Sequence, residues 1–159
     1  MSKTFVNAGA TTLIAAGAMS FSGLAMAGEC PAGKVAPDGQ GQQAGATMPK
    51  DVTDTVLAAL DLANEAPMLK DRQMRVRKLV IQPGGIVPWH SHGERPALIY
   101  IIEGEIVEYA SNCAAPITHK AGEVARETHA TAHWWQNHGT KTVVLLSFDI
   151  LHDKNDHHM

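Results

Sequence analysis

From Arg72 onward, short apolar runs rich in Val, Ile, Leu and aromatic residues follow one another, separated by Gly84-Gly85, Gly93, Gly104, Asn112, Gly122 and Gly139. Short runs punctuated by turn residues predict strands: 73–82, 86–92, 97–103, 105–110, 116–118, 123–126, 131–136 and 142–151. Many short strands at regular spacing argue for a sandwich or a barrel. Residues 52–62, VTDTVLAALDL, suit either a strand or a short helix. Asp51 or Thr53 would cap the helix, but Val, Thr and Leu tip the reading to strand. Upstream, residues 31–50 are rich in Gly, Pro and Gln with no apolar period, which predicts an extended arm or linker. Residues 153–159, DKNDHHM, read as a solvated, histidine-containing tail, and no internal repeat is evident.

Composition bounds this picture. A chain of 159 residues is long enough for one domain with a real core. Its 13 Lys and Arg against 16 Asp and Glu form no basic stripe, which argues against a nucleic-acid partner. Met1-Ser2-Lys3, the uncharged run from Ala8 to Leu24 and Ala25-Met26-Ala27 before Gly28 fit a cleaved Sec-type signal over residues 1–27. A membrane anchor is the competing reading, but the run is short and rich in Gly, Ser and Thr. Glu29 sits where lipid attachment at Cys30 would need a small residue, and there is no twin-arginine pair. The expected mature chain is therefore periplasmic or secreted, with no membrane partner after cleavage. It would have an arm over 28–50, a barrel over 51–152 and the tail. Two cysteines, Cys30 and Cys113, outside the cytoplasm read most simply as a disulfide pinning the arm to a barrel loop. A metal-binding or redox thiol pair is the alternative, although nothing resembles CxxC.

The chemistry gathers in PGGIVPWHSHGERPALIYIIEGE, residues 83–105. On a strand, side chains two apart share a face, so His90 and His92 point the same way and can grip one ion. His133, in TAHWWQN, enters the same space if its strand lies opposite. Three neutral imidazoles suit Fe, Cu, Ni, Co or Zn and leave coordination positions open. Glu94 is the nearest carboxylate and an optional further ligand, though it sits in the GERP turn. Ala97, Ile99 and Ile101 share one face and would line the pocket. Trp134 and Trp135 alternate, so Trp135 is expected inside, packing the core or stacking on a substrate. His129 is a candidate proton shuttle or extra ligand at the rim. Arg95 would either hold a substrate carboxylate at the mouth or stand solvated in its turn. Arg75 and Arg77 share a face and would bind an anion if inside, but ordinary solvated charges are the reading preferred. His119 and His138 read as turn residues. No GxGxxG, P-loop, GxSxG or reactive-cysteine setting is present.

This arrangement resembles the cupin family. The first cupin motif, G-x5-H-x-H-x(3,4)-E-x6-G, is matched by Gly84, His90, His92 and Gly104; the second, G-x5-P-x-G-x2-H-x3-N, by Gly122, His133 and Asn137. Thr128 and Ala130 replace the second motif's proline and glycine, and the first motif's glutamate falls at Ala97 or Pro96. The resemblance spans about residues 72–151. It implies an all-β, cupin-type jelly-roll barrel with an extended N-terminal arm and one divalent transition metal inside. Iron is the first expectation, with Cu, Ni, Mn, Co or Zn as options. The implied function is a metal-dependent, dioxygenase-type oxidoreductase acting on a small molecule through three histidines. Its rivals are a non-catalytic periplasmic binder of metal or small ligand and a non-redox cupin isomerase, decarboxylase or lyase. Such proteins also form homodimers, and the arm could cross to a partner. A site without ligand charge leaves the ion its full positive charge, which favours an anionic substrate.

Overall fold

The computed structural model describes residues 29–152. The expected signal segment and the tail lie outside the described residues. Eight strands follow in chain order: β1 (Lys50–Asp61), β2 (Gln73–Ser91), β3 (Ala97–Glu103), β4 (Glu105–Ala110), β5 (Ile117–Lys120), β6 (Val124–Glu127), β7 (Ala132–Gln136) and β8 (Val143–Leu151). A single 3-10 turn, Pro67–Leu69, joins β1 to β2. The strands form one sheet in the order β5-β4-β7-β2-β8-β3-β6, with β1 added along β2. The two ends of that path, β5 and β6, are consecutive in the chain, and the sheet rolls into a nearly closed jelly-roll barrel with an all-β core.

One expected break is not a break. The glycines at 84 and 85 are expected to separate two strands, yet β2 runs through them for 19 residues. They bend it instead. Gly84 takes a φ of +75°, open to glycine at little cost. The bend lets one strand serve two neighbours. Residues 73–81 pair with β8, and residues 86–91 pair with β7. His90 and His92 lie just past the bend, which aims the end of β2 across the barrel toward β7.

Cross-strand register stacks the inward side chains of β2, β8, β3 and β6 in tiers. Arg75, Asp149, Ala97 and Glu127 form the first; Arg77, Ser147, Ile99 and Ala125 form the second. Leu79, Leu145 and Ile101 follow, then Ile81 and Val143. All of these are buried, so the barrel is charged at one end and aliphatic at the other. Each fully buried aliphatic side chain in the lower tiers contributes about 1.5–3 kcal/mol. On the outer face, Leu98, Tyr100, Val124 and Phe148 remain exposed.

The arm is held by main chain and by sulfur. Val35 bridges to Cys113, Gly41 N–H donates to the Ser111 carbonyl at 2.7 Å, and Gln42 N–H to that of Ala110 at 2.9 Å. Cys30 and Cys113 form a disulfide across 83 residues of sequence, with Cα atoms 5.7 Å apart. By the loop-entropy argument, closing a loop of that size removes about 4–5 kcal/mol of freedom from the unfolded chain.

Candidate metal centre

β2 and β7 pair antiparallel with His90 opposite His133, and His92 lies one strand alternation further on. The three Nε2 atoms converge. His90 to His92 is 3.1 Å, His92 to His133 is 3.1 Å and His133 to His90 is 3.2 Å. The opposite ring nitrogens explain why they point inward. Nδ1 of His90 donates to the Pro88 carbonyl at 2.8 Å, that of His92 to the Arg95 carbonyl at 2.7 Å, and that of His133 to Glu108 Oε1 at 2.6 Å. The indole N–H of Trp135 lies 2.9 Å from the same His133 nitrogen, but the shorter contact to a carboxylate fixes the proton toward Glu108.

With each proton on Nδ1, three bare lone pairs face one another. Among the described residues no carboxylate joins those three nitrogens, and a cation would satisfy them. Ligand atoms about 2.0–2.2 Å from one ion stand about 2.8–3.6 Å apart at octahedral or tetrahedral angles, a range that contains the spacing seen. The residues therefore fit one divalent transition ion.

Protonation is suppressed as an alternative. Burial first, and then the neighbouring His133, lowers His90 to about 2 and His92 to about 3. Behind His133, burial by itself would raise Glu108. The hydrogen bonds from His119 (2.7 Å to Oε2) and His133 outweigh it and hold Glu108 down at about 2. Glu127 goes the other way, raised well above 4.5 by burial and then by the charge of Glu108. These directions carry a pH dependence for metal-free protein. Unfolded histidines protonate near pH 6.5, whereas folded His90 and His92 resist until about 3 and below, so the unfolded state binds more protons in between. Stability should fall as the pH drops from about 6.5 toward 4. Glu127 opposes this, because a raised carboxyl stabilises the fold in acid and loses that effect as the pH climbs. Two histidines outweigh one carboxyl. A urea midpoint that stays flat or rises between those pH values would contradict the assignment.

The interior holds more charge than the sequence reading allowed. Arg75 and Arg77, preferred outside, are both buried inside the barrel. Arg75 makes two bonds to Asp149, at 3.1 and 2.8 Å. Arg77 reaches Asp149 and the Ser147 hydroxyl, each at 3.2 Å, and also pairs with Asp54. Arg95 is buried too, 3.9 Å from Asp149, rather than solvated in its turn or open at the mouth. The period-two parity that places Leu79 and Ile81 inside places Arg75 and Arg77 inside as well.

Other expected residues sort as follows. Glu94 is exposed and pairs with His152 at 3.2 Å, so it is a turn residue and not part of the histidine cluster. His129 lies exposed in the turn before β7 and is not part of the histidine cluster. Ala97, Ile99, Ile101 and Trp135 are all buried. Ile99 and Trp135 line a cavity of about 30 Å³ beside the three histidines, together with Arg77, Leu79, Val87, Leu145 and Ser147, whereas Ala97 and Ile101 do not. Trp135 stacks on His119, ring centres 4.6 Å apart. His119 is thus fully buried rather than a turn residue, and Trp134 packs outside on Tyr109. Glu108, Glu127, Ser147 and Asp149 were missed. Their signal was a polar residue on the inward parity of a strand, as Glu108 stands between Ile106 and Ala110.

Residues 77–149 match the Cupin_2 family model, described as the cupin domain. A germin-like protein, subfamily 2 member 2, of Arabidopsis thaliana is 28% identical over 109 residues, covering 65% of this chain and 50% of its own length. The chain thus spans about half of that relative. Among solved structures, one described as a predicted oxalate decarboxylase from Thermotoga maritima aligns with a TM-score of 0.53 at 21% identity, covering 77% of this chain and 98% of its own. An oxalate oxidase in complex with the substrate analogue glycolate aligns at 0.50 and 19%, covering 69% and 59%. The cupin domain of Schizosaccharomyces pombe Cnp3 aligns at 0.51 and 13%, covering 65% and 63%. These likenesses support the cupin superfamily and agree with the barrel fold.

Proposed function

We propose that this protein is an exported, metal-dependent oxidoreductase of dioxygenase type, acting on a small anionic molecule through His90, His92 and His133. The observation that carries the reading is the meeting of three unprotonated Nε2 atoms beside a cavity that Arg77 also lines. A divalent transition metal bound there, iron first among the candidates, supplies a Lewis acid and a path for electrons to dioxygen. The protein's own residues do the rest. The Nδ1 partners hold the three rings in one tautomer and one orientation. Arg77 and Ser147 offer N–H and O–H donors to an anionic group, and the Arg77 Nε proton has no hydrogen-bond partner. Leu79, Val87, Leu145 and Trp135 keep bulk water out. A cavity of about 30 Å³ admits about two water-sized groups, so the substrate is small or enters only in part.

Oxalate chemistry is named for two of the structural neighbours and glycolate for one complex, which makes small carboxylic acids the first substrates to try. The disulfide is compatible with a compartment outside the cytoplasm, and no helix among the described residues is long and apolar enough to cross a membrane. The tightness of the cavity favours a second reading in the same site: non-redox chemistry, or simple binding of metal or ligand.

The test is oxygen consumption by iron- or manganese-loaded protein with small carboxylates, phenols, diketones and thiols. Uptake abolished by His90→Ala, and a KM raised about tenfold or more by Arg77→Met, is the expected result. Turnover without oxygen uptake would move the assignment to the non-redox reading. Wild-type protein that takes up no metal under replete conditions would sink both.

A further inference from the structure

Every buried carboxylate of the barrel except one has its oxygens occupied. Glu108 spends both on His119 and His133, at 2.7 and 2.6 Å. Asp149 is clamped by Arg75 and Arg77 with Arg95 close by. Glu127 is 2% exposed, and neither of its oxygens has a hydrogen-bond partner. Its Oε2 lies 3.3 Å from His133 Nδ1, one imidazole's width from the point where the three Nε2 atoms meet. A buried carboxyl left without hydrogen bonds costs stability, and an apolar residue of similar size would remove that cost. Its neighbour in register on β3 is Ala97, whose side chain is a single methyl. Two staggered torsions and a broad terminal one let a glutamate re-aim its carboxylate.

We infer that Glu127 is the anionic fourth ligand of the metal centre, delivered from β6 beside Ala97 and turning from the Nδ1 side of His133 to the ion when metal is bound. This rests on the metal reading above and deepens it. With Glu127 bound, the centre carries one protein charge and three neutral nitrogens, the ion keeps a net positive charge for an anionic substrate, and the unspent carboxyl is satisfied.

The experiment compares full-length exported protein with Glu127→Gln and Glu127→Asp, loaded with Co(II) or Mn(II). Chelator competition should show Co(II) affinity weaker by about 100-fold or more in Glu127→Gln, partly restored in Glu127→Asp, with an altered cobalt absorption spectrum. The metal-free melting temperature should hold or rise, because a buried carboxyl without partners has been removed. A merely structural glutamate would lower it. Anomalous diffraction from Mn(II)-loaded wild type gives a reading independent of any variant, with a Glu127 oxygen expected within about 2.0–2.4 Å of the ion. Unchanged affinity and spectrum in Glu127→Gln, or Glu127 still against Nδ1 in the loaded crystal, overturns the inference while the three-histidine site stands. Metal retained by His90→Ala overturns the site itself.

Discussion

Asp149→Asn should destabilise the protein by about 3–5 kcal/mol, a large fraction of the about 5–15 kcal/mol that holds a typical domain folded. Asp149 is wholly buried and accepts from Arg75 twice and from Arg77, with Arg95 3.9 Å away. Removing its charge keeps the shape and leaves three guanidinium groups close together, with Asp54 beside Arg77 at the edge. Breaking a buried pair is costly because the surviving charge is uncompensated; exchanging a whole pair for apolar residues of similar size is far milder. Arg75→Met combined with Asp149→Leu should therefore cost less than Asp149→Asn alone. Urea denaturation of the two variants reads the difference. A loss below about 1 kcal/mol for Asp149→Asn would mean that the cluster is more hydrated than its burial indicates.

His133→Ala should remove metal binding altogether. It takes away one of three converging nitrogens and also frees Glu108, whose Oε1 accepts from His133 Nδ1 at 2.6 Å. Two effects separate in measurement. Bound metal falls from stoichiometric to none, and the metal-dependent rise in stability disappears. That rise should be about 2.7 kcal/mol for wild type at free metal one hundred times Kd. Metal-free stability of the variant should itself drop by about 2–4 kcal/mol, from the cavity left behind and a buried carboxylate missing a donor. Retention of a full metal complement by His133→Ala would move the centre elsewhere.

Much of this was readable from the chain, and what failed to be read shares one cause. The strand limits at 97–103 and 105–110 coincide with β3 and β4, because glycine and asparagine punctuate those runs cleanly. The three histidines could be grouped because two share strand parity and the third falls at a recognisable motif spacing. Arg75, Arg77, Glu108 and Asp149 eluded the reading because charged side chains were weighed against their hydration rather than their parity. Arg75 and Arg77 occupy the same strand phase as Leu79 and Ile81, and Asp149 that of Leu145 and Leu151. Parity forces them inward, and they tolerate the interior only because Asp149 and Asp54 arrive from other strands. That pairing is set by register across β1, β2 and β8, which no local window of sequence contains. Glu94, an optional ligand from its nearness to His92, stands exposed in the turn where Gly93 and Pro96 place it.

The disulfide makes a covalent circle. Joining Cys30 to Cys113 closes the backbone on itself, so β1 to β4 lie on the ring and β5 to β8 hang from it as an open tail. His90 and His92 belong to the circle and His133 to the tail. An ion gripped by all three is therefore a second fastener, tying the loose end back onto the closed part. Protease cuts follow the same division. Under oxidising conditions a single cut between residues 31 and 112, after Lys34 for instance, opens the circle without releasing a fragment. A cut after Lys120 or Arg126 splits the covalent molecule and strips His133 from its two partners once the fold lets go.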